Sequence, residues 1–385
     1  QKLRAGVGSL PSCCVPAASG PNSQRMALAR VAEAPSSAEE LHRLCLLGSS
    51  DQVAEFLDTM PEGQLDCATV GPDGTPADPA LHLAARGGHL LITQALLHRG
   101  ADPNMLDAHS RTALHVASLE GHADIVVELI LGRVDVNALD ALHETALHKA
   151  VLADNVEVLD MLLDHGGADP TIRGGAGVTA ALLAAEHGAL GPLQALFRRN
   201  PELVHTQNEA GWTPLHLAAH GDQHQRKVTT AKPAKFHTVV QLLLETKADV
   251  GARDEDTKTP LHRAAATGNA DVVAALAAAG ADVAAADICR WTPLHYAVQD
   301  GHLKVIQVLI SARAAVQCEN PPCLTPLAVA TLENQVKAAE ILIAHKADPN
   351  LRGKGLASPM MIARKEKDKY SDMLALFELG FVSHH

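Results

Sequence analysis

The chain has 385 residues, 47% of them hydrophobic and only 2% aromatic, with a formal net charge of −12. An acidic balance of this size works against nonspecific binding to nucleic acid or to anionic membranes, because both attract cations. No window is long and apolar enough to span a membrane, and the seven scattered cysteines form no disulfide framework, which points to a reducing compartment, the cytoplasm or the nucleus.

Residues 1–36 are rich in Gly, Pro, Ser and Ala without periodicity and are expected to be a flexible tail. They hold no apolar stretch of the length a signal peptide needs. Periodicity begins just after them. Leu41 to Gly48 and Asp51 to Leu57 read as a short helical pair without the start signal that later pairs carry.

That signal is a tetrapeptide, complete at Thr213 to His216, Thr259 to His262 and Thr292 to His295. Weaker copies run from Pro79 to His82, Thr112 to His115, Thr145 to His148, Val178 to Leu182, Thr325 to Ala328 and Ser358 to Met361. Counted at the His position, the steps are 33, 33, 34, 34, 46, 33, 33 and 33, a pitch that marks stacked supersecondary units rather than one closed core.

One unit, Trp291 to Val316, shows the logic. Thr292 is placed to cap a helix and Pro293 sits in its first turn, where a missing N–H costs nothing. Gly301 stops that helix by supplying a positive φ. In the second helix, Leu303, Val305, Ile306, Val308, Leu309 and Ile310 cover so much of the circumference that one partner helix cannot hide them, so neighbouring copies must. The 46-residue step adds a polar, basic loop at 222–236 with Arg226, Lys227, Lys232 and Lys235, which reads as a surface insertion. After Met361 a charged run leads into a last helix ending near Phe377. The pattern predicts an all-α repeat solenoid of about ten copies over 37–378, degenerate at both ends to shield the terminal apolar faces, with a short C-terminal tail at 379–385.

The 22 histidines suggest a metal, but His82, His115, His148, His216, His262 and His295 occupy one position of successive copies, and His89, His122 and His302 another. Periodicity makes them structural: an imidazole there can bond both the capping hydroxyl and the backbone of the adjoining turn. His220, His224 and His237, or Cys318 with Cys323, lack the paired spacing of a zinc site. Nucleophile-elbow, phosphate-loop and metalloprotease motifs are also missing, so the sequence predicts no enzyme, no cofactor and no small-molecule substrate.

The segment Gly211-Trp212-Thr213-Pro214-Leu215-His216-Leu217-Ala218-Ala219 resembles the ankyrin repeat family, and the resemblance spans residues 38–378. It implies antiparallel helix pairs, projecting β-hairpin fingers and a concave face that binds other proteins. On that register the finger tips carry His109, Leu142, Glu209, Ile288 and the run Asp254, Glu255, Asp256, expected to be a concentrated acidic tip able to meet a basic patch on a partner. Leu142 and Ile288 are expected to be exposed apolar residues. Trp212 and Trp291 lie at the bases of two fingers, where packing against the neighbouring finger outweighs an anchoring role. Lys149, Arg263 and Tyr296 follow the recurring His and are expected to face the concavity with Gln299 and Asp300. The resulting expectation is a noncatalytic scaffold for a protein partner. The second reading is the regulatory or targeting segment of a longer enzyme or channel, since the chain starts at Gln1 rather than Met.

Overall fold

The structure, a computed structural model, describes residues 37–59, 78–221, 233–317, 324–352 and 356–382. The expected tail at 1–36, and the inserted loop up to residue 232, lie outside them. Among the described residues, ten first helices alternate with ten second helices. The first set is α1 (Ser37–Leu47), α3 (Ala80–Gly87), α5 (Ala113–Glu120), α7 (Ala146–Leu152) and α9 (Ala180–His187). It continues with α11 (Pro214–His220), α13 (Pro260–Thr267), α15 (Pro293–Gln299), α17 (Pro326–Leu332) and α19 (Pro359–Lys365). The second set is α2 (Ser50–Thr59), α4 (Leu90–His98), α6 (Ala123–Leu131), α8 (Val156–Asp164) and α10 (Leu190–Arg199). It ends with α12 (Pro233–Glu245), α14 (Ala270–Ala278), α16 (Leu303–Ser311), α18 (Val336–Ala344) and α20 (Ser371–Val382).

Each first helix packs on its own second helix and on the first helices before and after it, and the second helices form a parallel row of the same kind. Helices of seven to thirteen residues are marginal alone, so this two-sided packing is what holds them. In α16, Val305, Ile306 and Leu309 are fully buried while Leu303, Val308 and Ile310 are half-buried against the core. Each fully buried side chain of this kind contributes about 2 kcal/mol.

The recurring His ties copies together. In α5, α7, α11, α13 and α15 the capping Thr hydroxyl donates to the imidazole Nδ1 over 2.8–2.9 Å, and the Thr N–H points to the same nitrogen. The Nε2–H then donates to a carbonyl of the next copy: Glu144 for His115, Val178 for His148, Lys258 for His216, Trp291 for His262 and Leu324 for His295, at 2.8–3.1 Å. One neutral ring thus caps a helix and links two units. His82 makes the link, to Arg111 O at 2.7 Å, but Pro79 replaces the capping Thr and the buried Nδ1 has no partner among the described residues.

The stop position after the first helix is left-handed whether or not it is glycine: Gly301 has φ 69°, and Asp154 and Asn334 take φ 52° and 53° at the equivalent place. Two expectations change in detail. α20 runs to Val382, past the residue 378 boundary, and α12 starts at Pro233, so the last four residues of the 222–236 insertion are helical. The fingers exist as tight turns rather than β-hairpins, because no strand occurs among the described residues.

Candidate functional site

Five of the described fingers are each organised by one Asp or Asn side chain. Asp107 Oδ1 accepts from the His109 and Arg111 N–H groups at 2.8 and 2.9 Å, and Asp140 Oδ1 accepts from Leu142 and Glu144, both at 2.9 Å. Asn208 does the same for Ala210 and Trp212 at 3.0 and 2.9 Å, Asp254 for Lys258 at 2.8 Å and Asp287 for Trp291 at 2.8 Å. Adjacent fingers are joined by single backbone bonds, Ala141 N–H to His109 O, Glu255 N–H to Ala210 O and Ile288 N–H to Asp256 O. This turn-forming role buries Asp107, Asp140, Asp254 and Asp287.

A buried carboxylate requires a partner, and the fold supplies it nine residues later, at the position after the recurring His. Lys149 Nζ sits 2.6 Å from Asp140 and 2.5 Å from Glu144, Arg263 pairs with Asp254, and the Tyr296 hydroxyl donates to Asp287 at 2.7 Å. Where the finger residue is the neutral Asn208, the position nine later is Leu217; where it is Asp107, that position is Val116 and Arg111 serves instead, at 2.7 Å. Burial alone would raise the Asp140 carboxyl, but hydrogen bonds from Lys149 and the Glu144 and Leu142 amides outweigh it and hold it below its ordinary value. Burial opposes the Lys149 charge as well, and the two carboxylates overcome it and raise the ammonium. Burial and the adjoining Asp287 carboxylate push the Tyr296 phenol up.

These pairs correct several expectations. Asp254 is 4% exposed, so the three-residue acidic tip reduces to Glu255 and Asp256, and Asp256 itself lies 3.2 Å from Lys258 Nζ. Lys149 is 6% exposed and offers no charge to the concavity, because Asp140 and Glu144 consume it. Arg263 and Tyr296 are half-buried and turn back to their fingers. Around them lies an aromatic cluster: the Arg263 guanidinium stands 4.1 Å over the Trp212 ring, His220 meets Trp212 edge-on at 5.2 Å, and Trp291 contacts Tyr296 at 5.2 Å and stacks on His295 at 5.7 Å. Trp212 therefore packs against the next copy, through Arg263, whereas Trp291 packs on His295 and Tyr296 of its own copy. His109, Leu142, Glu209, Glu255, Asp256, Ile288 and Asp300 are exposed, Leu142 at 65% and Ile288 at 69%, and Gln299 is half-buried.

Exposed residues overlooked in the sequence are Leu106 and Leu139, each preceding a finger Asp, and Leu119 and Leu152, each four residues after the recurring His. Their common offset of 33 was the available signal. No group of three His, Cys, Asp or Glu side chains is arranged to hold a metal among the described residues.

The family model for ankyrin repeats, three copies to a model, matches residues 81–174, 181–287, 228–320 and 283–353. The chain belongs to the ankyrin repeat family. Protein fem-1 homolog A of Danio rerio is 40% identical over 93 residues, which are 24% of this chain and 14% of that protein. Ankyrin repeat domain-containing protein 49 of Mus musculus is 52% identical over 46 residues, 12% of this chain and 19% of that one. The ankyrin chain thus spans less than a fifth of either curated relative in these matches. Among solved structures, the ankyrin repeat domain of Bcl-3, described as a unique member of the IkappaB protein family, is 26% identical, with a TM-score of 0.51 over 60% of this chain and 98% of its own. The ankyrin repeat domain of human ASB11, 24% identical, shares the fold with a TM-score of 0.51 over 63% of this chain and 99% of its own. Ankyrin repeats are a general protein-interaction fold. No helix among the described residues is long and apolar enough to cross a membrane.

Proposed function

We propose that this ankyrin chain is a noncatalytic scaffold of the cytoplasm or nucleus that holds a protein partner across its finger tips and the exposed ends of its first helices. One observation carries the reading. Recurring Thr, Pro, Leu, His and Ala side chains are buried inside the stack, whereas the nonrecurring Leu142, Glu209, Glu255, Asp256 and Ile288 stand out from it on four of the fingers. A face whose side chains change from copy to copy on an unchanging frame suits recognition of a folded protein or a peptide. The reading needs no cofactor, metal or small-molecule substrate. It applies equally to an independent protein and to the targeting segment of a longer enzyme or channel.

Two charges, Glu255 and Asp256, face a partner's basic patch, while Arg263, Tyr296, Trp212 and Trp291 hold the fingers in place for it. The test is affinity capture on the immobilised full chain, followed by mass spectrometry. Reversing Glu255→Lys and Asp256→Lys, with the turn-forming Asp254 left intact, is expected to lower recovery of the partner by about tenfold without changing the thermal melt. Undiminished recovery would reject this tip as part of the binding surface.

A further inference from the structure

The third and fourth copies expose an unusual set of leucines. Leu106 and Leu139 are 51% and 43% exposed at the bases of adjacent fingers, and Leu142 tops the second finger at 65%. Leu119 and Leu152 are 38% and 39% exposed on α5 and α7, which pack side by side. One ion pair ties the two sets together: Leu152 is one turn beyond Lys149, whose ammonium reaches Asp140, the residue after Leu139. Scattered exposed leucines need no explanation, but leucines exposed at matched positions of neighbouring copies do.

The charges of this half are predominantly acidic. Residues 37–221 hold 25 acidic against nine basic side chains, a net charge of −16, while residues 233–385 hold 17 against 16. Three cations of copies two to four are already engaged: Arg86 with Asp78 at 2.7 Å, Arg111 with Asp107, and Lys149 with Asp140 and Glu144. Glu120, beside Leu119, and Glu186, one copy beyond Leu152, stand outside the ion pairs found among the described residues. An apolar strip edged by unneutralised carboxylates complements apolar anchors flanked by cations.

We infer that the fingers and first helices of copies three and four dock a cationic amphipathic segment of a partner protein, its apolar side chains on the leucines and its Lys or Arg side chains toward Glu120 and Glu186. This deepens the scaffold reading and rests on it. The segment is one whose apolar residues recur at helical spacing, so that a single face meets the strip.

The test titrates the full chain into fluorescently labelled peptides of about 18 residues at about 150 mM salt. One peptide carries Leu at helical spacing on a Lys background, a second replaces its Leu by Ser, and a third replaces its Lys by Glu. The Leu/Lys peptide is expected to bind at least about tenfold more tightly than either control. Leu142→Ser with Leu152→Ser, and separately Glu120→Lys with Glu186→Lys, are each expected to weaken that binding at least about tenfold. Leu332→Ser, the equivalent of Leu152 in copy nine and 42% exposed, is expected to leave it unchanged, and unaltered circular dichroism melts establish that each variant folds. Equal binding of the Ser/Lys peptide, or full-strength binding to the leucine variant, would overturn the inference. Should that happen while a cellular partner is still captured and lost on Glu255 and Asp256 reversal, the docking strip falls and the scaffold reading stands. Loss of both removes both.

Discussion

The two halves of the stack use one frame for different surfaces. In copies three and four the finger carboxylates are fully answered by Arg111 and Lys149, and what faces outward is leucine within a strongly acidic half. In copies six to eight the charge is nearly balanced, and the same positions hold Trp212, Arg263, Trp291 and Tyr296 in one aromatic and ionic cluster. Both sets rest on the same Thr–His caps and turn-forming Asp or Asn side chains. The difference shows that ion pairs at the position after the recurring His serve the fingers, and that surface character is decided by the residues around them.

The largest effect expected from breaking this comparison is at Lys149. Lys149→Met leaves the buried Asp140 and the half-buried Glu144 without a cation and is expected to cost about 3 kcal/mol in urea melts. Asp140→Asn with Lys149→Leu copies the neutral Asn208 and Leu217 arrangement and is expected to recover most of that loss. Failure of the double variant to recover would show that the ion pair does more than satisfy the finger carboxylate.

Acid should weaken both halves together. Burial pushes His82, His115, His148 and His216 below the ordinary histidine range, and His262 and His295 down to about 4. The unfolded chain, with histidines near 6.5, then binds more protons than the folded one, so stability is complete above about pH 6.5 and is lost as pH falls toward 4. For His262 and His295 the loss reaches about 3 kcal/mol each at pH 4. Thermal melts at a series of pH values are expected to show the midpoint falling through this window, and a flat profile would contradict the neutral, doubly bonded imidazoles.

The smallest effect is a gain. Pro79→Thr supplies the hydroxyl and N–H that the buried His82 Nδ1 lacks and is expected to add about 1 kcal/mol in urea melts, bringing the second copy to the standard of the third.

The frame was legible in the sequence because its determinants are local and periodic: Thr292, Pro293 and Gly301 each act on the helix they adjoin, and their 33-residue recurrence leaves one architecture. The recognition surface was only partly legible. Leu142 and Ile288 could be placed on finger tips by register, but Lys149 and Asp254 were misread as free charges because their partners lie nine residues away, across a turn and into a helix. Leu106, Leu119, Leu139 and Leu152 received no assignment from the sequence, since exposure at these positions depends on which sides the neighbouring copies cover.

Hydrogen exchange on the full chain, alone and bound to its captured partner, tests most directly whether recognition belongs to the fingers and first helices. The account predicts added protection in peptides spanning 106–120, 139–153 and 254–263, with α6, α8 and α14 unchanged on the opposite layer. Protection confined to those second helices would contradict it.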